Sequence, residues 1–195
     1  MGYVGNTDVY PGVDGPIGSP GTLYMVGATN DVLYTLNTST GEASRVGRST
    51  RFGVNERAPR GLAAIGDILY MVGTTTNALY TLNTSTGVAS RVGSATRFGV
   101  NESDPTGLAA IGNTLYMVGQ TNDALYTLNT TTGEASRVGS ANSFGVNENL
   151  PYGLAAIENT LYMVGRNNRT LYTLNTSTGE ASRVGSANSL SLIHI

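Results

Sequence analysis

A chain of 195 residues with a formal net charge of −2 and 12% charged residues carries no field strong enough to gather nucleic acid or an anionic membrane surface. All eleven basic residues are arginine, cysteine and tryptophan are absent, and the single histidine is His194. Lysine Schiff bases, P-loop chemistry, thiolate nucleophiles, disulfides and histidine-based triads or zinc clusters are therefore excluded within this chain.

In chain order, residues 1–20 read as an irregular N-terminal segment. The opening MGYVGNTDVY lacks the charged-then-apolar pattern of a secretory leader, so an extracellular or cell-surface location is expected only if a leader is missing from this sequence. The stretch that follows is rich in Pro and Gly and suits a loop, with Pro16-Ile17-Gly18 as the remnant of a strand end. Residues 21–189 form a tandem array. LYMVG begins at Leu23, Leu69, Leu115 and Leu161, each 46 residues after the last. LYTLNT follows at Leu33, Leu79, Leu125 and Leu171, and ASRVG at Ala43, Ala89, Ala135 and Ala181; GLAAI precedes three of the units, at Gly61, Gly107 and Gly153.

Each unit predicts four short strands: in the second, Gly61 to Ile65, Leu69 to Gly73, Leu79 to Leu82 and Ala89 to Val92. Tyr and Thr enrichment and runs of four or five residues between Gly- and Asn-rich turns favour strands, and no sustained 3.6-residue period favours helices. Asn83-Thr84-Ser85-Thr86-Gly87 is a hairpin turn, which also accounts for the Asn-x-Ser/Thr sequons there. Four antiparallel strands in ~40–50 residues form the blade of a β-propeller. The expectation is thus an all-β propeller with small residues on the innermost strand, apolar residues on both faces of the second, and polar Ser and Arg on the outer edge.

LYTLNTSTGEASRVG, which recurs in all four units (Leu33–Gly47, Leu79–Gly93, Leu125–Gly139, Leu171–Gly185) with Val88 and Thr131 as its single changes in the second and third, resembles the LYxLDxxTG repeat of quinoprotein-like bacterial propellers. The resemblance implies the blade. It does not imply a quinone cofactor, because the Trp that locks neighbouring quinoprotein blades is replaced here by Arg45 and Val46 and their equivalents. No cofactor and no metal site is expected.

After Ser189 the repeat stops, and residues 190–195 read as a non-repeat, non-native tail. Ten residues beyond Gly185 are too few for a connector and another inner strand. A longer array of about six to eight blades is the expected parent, with a closed four-bladed ring as the alternative. An open arc would expose apolar blade faces and self-associate through them.

The candidate binding residues lie on two sets of loops that a propeller brings to one face. The connectors between outer and next inner strand carry Phe-Gly-Val-Asn-Glu, giving Asn55, Glu56, Asn101, Glu102, Asn147 and Glu148; the turns between second and third strands add Asp31, Asn77 and Asp123. Amides and carboxylates in such a ring suit sugar hydroxyls; the plainer alternative is Phe as an inter-blade plug and Asn and Glu satisfying loop backbone groups. Copies in like surroundings suit multivalent contact better than one catalytic centre. The expected function is a non-enzymatic binding or scaffold propeller recognising a glycan or protein partner. The alternatives are a piece of a propeller enzyme (hydrolase, lyase or oxidoreductase) whose catalytic residues lie outside this chain, and a purely structural repeat.

Overall fold

The computed structural model describes residues 4–5, 22–27 and 30–185. These residues form four four-stranded antiparallel sheets, each a meander, arranged as the four blades of a β-propeller. The first blade is β1 (Val4–Gly5), β2 (Leu23–Gly27), β3 (Val32–Leu36) and β4 (Ala43–Arg45). The second is β5 (Pro59–Ile65), β6 (Ile68–Gly73), β7 (Ala78–Leu82) and β8 (Ala89–Arg91). The third is β9 (Pro105–Ile111), β10 (Thr114–Gly119), β11 (Ala124–Leu128) and β12 (Ala135–Arg137), and the fourth β13 (Pro151–Ile157), β14 (Thr160–Gly165), β15 (Thr170–Leu174) and β16 (Ala181–Arg183).

Within residues 1–20, expected to be irregular, Val4–Gly5 pairs antiparallel with Met25 and Tyr24 and supplies the innermost strand of the first blade. Pro16-Ile17-Gly18 and the tail 190–195 lie outside the described residues. The other inner strands begin two residues earlier than the sequence suggests, at Pro59, Pro105 and Pro151, where a register shift accommodates a residue with no N–H to give the ladder.

Alternation along the second strand explains the core. In β2, Tyr24 and Val26 face forward onto the second blade; in β6, Leu69 and Met71 face back onto the first. The same division recurs between the second and third and between the third and fourth blades, so the apolar core is three layers sandwiched between four sheets. In the second and third blades every residue of LYMV is thereby used, two for each neighbour.

Glycine, not tryptophan, sets the closeness of the blades. Innermost strands of successive blades approach backbone to backbone: a methyl on Gly107 would lie 2.6 Å from the amide nitrogen of Leu154. At the outer edge, the turn glycine of one blade sits under the carbonyl of the valine that ends the preceding blade. A Cβ on Gly87 would lie 2.7 Å from the Val46 oxygen, and Gly133 and Gly179 repeat the contact with Val92 and Val138. The outer-strand arginines serve their own blade: Arg45, Arg91 and Arg137 donate to the carbonyls of Ser49, Ala95 and Ala141 at 2.7–2.8 Å. No helix among the described residues is long and apolar enough to cross a membrane.

Candidate functional site

Each connector begins with a tight turn of unusual hand. Arg51, Phe52 and Gly53 have φ of 50°, 53° and 72°, and Arg97, Phe98 and Gly99 follow with 48°, 55° and 74°. Two successive non-glycine residues in the left-handed region cost about 1–2 kcal/mol each. The turn drives the phenylalanine ring into the layer between blades, where Phe52, Phe98 and Phe144 are fully buried. The burial of the ring is what offsets the backbone strain.

Two residues past the turn glycine, the chain reverses again at Asn55, Asn101 and Asn147, with φ of 56°, 56° and 54°. Asparagine tolerates this region better than most residues. The reversal sends Asn outward and the following Glu inward. Asn55, Asn101 and Asn147 are exposed, whereas Glu56, Glu102 and Glu148 are completely buried.

The buried carboxylates are saturated. Glu102 Oε1 accepts from the amides of Asp104 (2.9 Å) and Thr121 (3.1 Å), and Oε2 from the amide and side chain of Asn122 (3.2 and 3.3 Å). Glu56 accepts from the amides of Arg57, Thr75 and Thr76 and from the Thr76 hydroxyl at 2.7 Å. Glu148 accepts from the amides of Leu150, Asn167 and Asn168. Each glutamate thus ties the connector to the turn between the second and third strands of its own blade, by charge-assisted bonds to backbone donors that would otherwise be orphaned. A Cβ on Gly73, Gly119 or Gly165 would overlap these carboxylates, which accounts for the glycine ending LYMVG. These three glutamates hold the rim in shape and present no free oxygen to it.

The remaining candidates divide. Asp31 is buried and its Oδ1 accepts from the Ala58 amide at 3.3 Å, linking the first blade to the end of the connector that leads into the second. Asn77, in the amide orientation that satisfies its neighbours, donates to the carbonyls of Thr74 (3.1 Å) and Ser103 (2.7 Å), linking the second blade to the connector that leads into the third. Asp123 stands at the equivalent place in the third blade, but its Oδ1 is buried without a partner. Burial, and then the charges of Glu102 and Glu148, push the Asp123 carboxyl above its ordinary range.

That orphan yields a prediction with a definite sign. A carboxyl whose folded pKa is raised binds its proton more tightly when folded, so its penalty is absent below the ordinary carboxylate range. The penalty grows as pH rises through that range toward the raised value. Asp123→Asn installs the amide that Asn77 already uses. It is expected to stabilise the fold by about 1 kcal/mol at neutral pH, with no gain below the ordinary carboxylate range, because it removes the fall in stability that Asp123 contributes as pH rises through that range. Urea midpoints at several pH values check this, and a variant less stable than its parent at neutral pH contradicts it.

Two features of the rim escaped the sequence reading. Arg51 and Arg97 donate to the Oδ1 of Asn55 and Asn101 at 3.0 and 2.8 Å, so two of the three exposed amides are held through their oxygen. The shared four-residue spacing was the available signal. The second is a hydroxyl chain in the second blade, where the Thr76 hydroxyl also meets the Tyr80 phenol at 2.6 Å. Burial raises the pKa of this phenol, with the Thr76 bond opposing in part. An open groove of about 550 Å³ also lies between the second and third blades, lined by Ser94, Thr96, Thr131, Thr132 and Glu134 among others. Among the described residues, no three Asp, Glu or His side chains converge as metal ligands.

No protein-family model matches the sequence, and no curated protein matches it. Solved structures do. Virginiamycin B lyase from Staphylococcus aureus superposes with a TM-score of 0.57 at 15% identity over 94% of this chain and 56% of that one. YCF48 from Cyanidioschyzon merolae gives 0.56 at 12% identity over 85% of this chain and 52% of that one. The extracellular domain of the one component system BT4673 from B. thetaiotaomicron gives 0.57 at 17% identity, covering 96% of this chain and 24% of that one. At these identities the likeness is one of fold. The chain spans about half, or less, of the length of each of these propellers.

Proposed function

We propose that this chain is a non-enzymatic binding scaffold whose connector face engages hydroxyl-rich glycans through several equivalent weak contacts. The observation that supports this reading most is the set of exposed amides of Asn55, Asn101 and Asn147. Each sits on a left-handed backbone position above a fully buried, saturated glutamate. A rigid support under an exposed hydrogen-bonding group limits the ordering cost of binding. Repetition from blade to blade lets individually weak contacts act together through effective concentration. Arg51 and Arg97 fix two of the amides and add guanidinium donors beside them. An amide with an adjacent donor fork suits vicinal hydroxyls of a sugar.

The test is a glycan array read with the intact chain and with the triple variant Asn55→Gly, Asn101→Gly, Asn147→Gly. Glycine accepts the positive φ, so the fold is spared. The expected outcome is binding to at least one sugar class, reduced tenfold or more in the variant at an unchanged melting temperature. Binding that survives the triple change removes the connector face from the account.

A further inference from the structure

We propose that the two ends of the blade series are the two halves of one joint, and that a second copy of this chain completes it. The fourth blade of each copy docks on the first blade of the other, so that two four-blade arcs close into one ring.

The argument starts from an interface the chain already makes three times. A forward face carrying Tyr and Val from the second strand and the valine that ends the blade always packs on a backward face. That backward face carries Leu and Met from the second strand and Tyr and Leu from the third. The fourth blade has the forward face in full, and among the described residues nothing covers it. Val164 is 41% exposed where Val72 and Val118 are 0%, and Val184 is 42% exposed where Val46, Val92 and Val138 are 8–9%. The backward face of the first blade is uncovered among the described residues: Met25, Tyr34 and Leu36 are half-buried, while Met71, Tyr80 and Leu82 are buried.

The glycine joint reports the same thing from both sides. Gly87, Gly133 and Gly179 each lie against the valine carbonyl of the preceding blade, whereas a Cβ on Gly41 meets nothing within 4 Å. Gly47, Gly93 and Gly139 each lie against the threonine backbone of the following blade, whereas a Cβ on Gly185 meets nothing within 4 Å. Thr40-Gly41 and Val184-Gly185 are the unmatched halves of a contact made three times elsewhere. Their side chains come from the same repeat, so the partner whose chemistry fits is another copy of the repeat.

Geometry favours closure over a filament. A head-to-tail joint closes only if its rotation divides the circle. The chain covers 56% and 52% of two larger propellers of the same fold, which leaves room for about as many blades again. Propellers of up to ~8 blades use the same blade unit. Two copies related by a twofold axis then form two identical joints and leave neither face open. This inference does not depend on the glycan reading: it is tested by mass, and that reading by ligand binding.

The experiment is size-exclusion chromatography with light scattering on the 195-residue chain. The unmodified chain is expected at twice its own mass at micromolar concentration. Val164→Asp and Leu36→Asp, which alter opposite faces, are each expected at single-chain mass with an unchanged far-UV circular dichroism spectrum. Mixed in equal amounts they are expected to recover the doubled mass, because each still owns the face the other lacks. Should either variant fail to fold, Val184→Asp replaces Val164→Asp on the forward face and Met25→Asp replaces Leu36→Asp on the backward face. A single-chain mass for the unmodified protein up to about 100 μM, a doubled mass for Val164→Asp alone, or no recovery on mixing overturns the proposal.

Discussion

Phe98→Ala is expected to lower the unfolding free energy by about 3–5 kcal/mol, a large fraction of what a domain of this size usually possesses. The ring is fully buried in the layer between the second and third blades. It also anchors a turn in which Arg97, Phe98 and Gly99 all have positive φ. Removing it leaves a cavity and withdraws the burial that holds a strained backbone in place. The two losses are coupled, so the measured cost should lie toward the upper end of that range. Urea denaturation followed by circular dichroism measures it. A cost below 1 kcal/mol would mean that the phenylalanine is not the wedge described above.

Glu102→Ala should cost nearly as much, about 3–4 kcal/mol, for a different reason. Three backbone amides, those of Asp104, Thr121 and Asn122, lose their acceptor in a place water reaches poorly. Each orphaned donor carries a penalty of about 1–3 kcal/mol, partly relieved if water enters the space left behind. Glu102→Gln keeps the shape and one carbonyl acceptor and should cost about 1–2 kcal/mol. The ordering Ala worse than Gln, with both below the parent in thermal melting, separates a saturated structural carboxylate from a solvated rim group. A rim group would show neither loss.

The blades were legible because a period of 46 residues with Gly and Asn punctuation admits few other structures. LYMV, apolar on both alternating sets, correctly marks a strand buried on both sides. The strand at Val4–Gly5 was not legible, because two residues of pairing leave no pattern. Nor was the start of the inner strands at Pro59, Pro105 and Pro151, since proline argues against a strand until a bulge accommodates it.

The connector was legible as a place and illegible in its polarity. Asn101 and Glu102 are adjacent and equally polar, and nothing in Phe-Gly-Val-Asn-Glu says that a positive φ at Asn turns one outward and the other into the core. The informative signal lay elsewhere, in the glycine ending LYMVG, which exists to make room for the carboxylate. The same holds for the joint at the outer edge, whose paired Val-Gly and Thr-Gly contacts become visible only once residues of neighbouring blades are brought together. Asp123 was grouped with Asp31 and Asn77 by position, yet the three differ in what their side-chain oxygen or nitrogen finds across the blade gap.

The central physical claim is that buried glutamates lock the turns on the rim, and hydrogen exchange addresses it most directly. The amides of Thr75 and Thr76, Thr121 and Asn122, and Asn167 and Asn168 sit in short polar turns of a kind that normally exchange within seconds. With each donating to a buried carboxylate, they are expected to exchange as slowly as the flanking strands, and Glu102→Ala should release only the pair in its own blade. Exchange of all six at unprotected peptide rates in the unmodified protein would contradict the account.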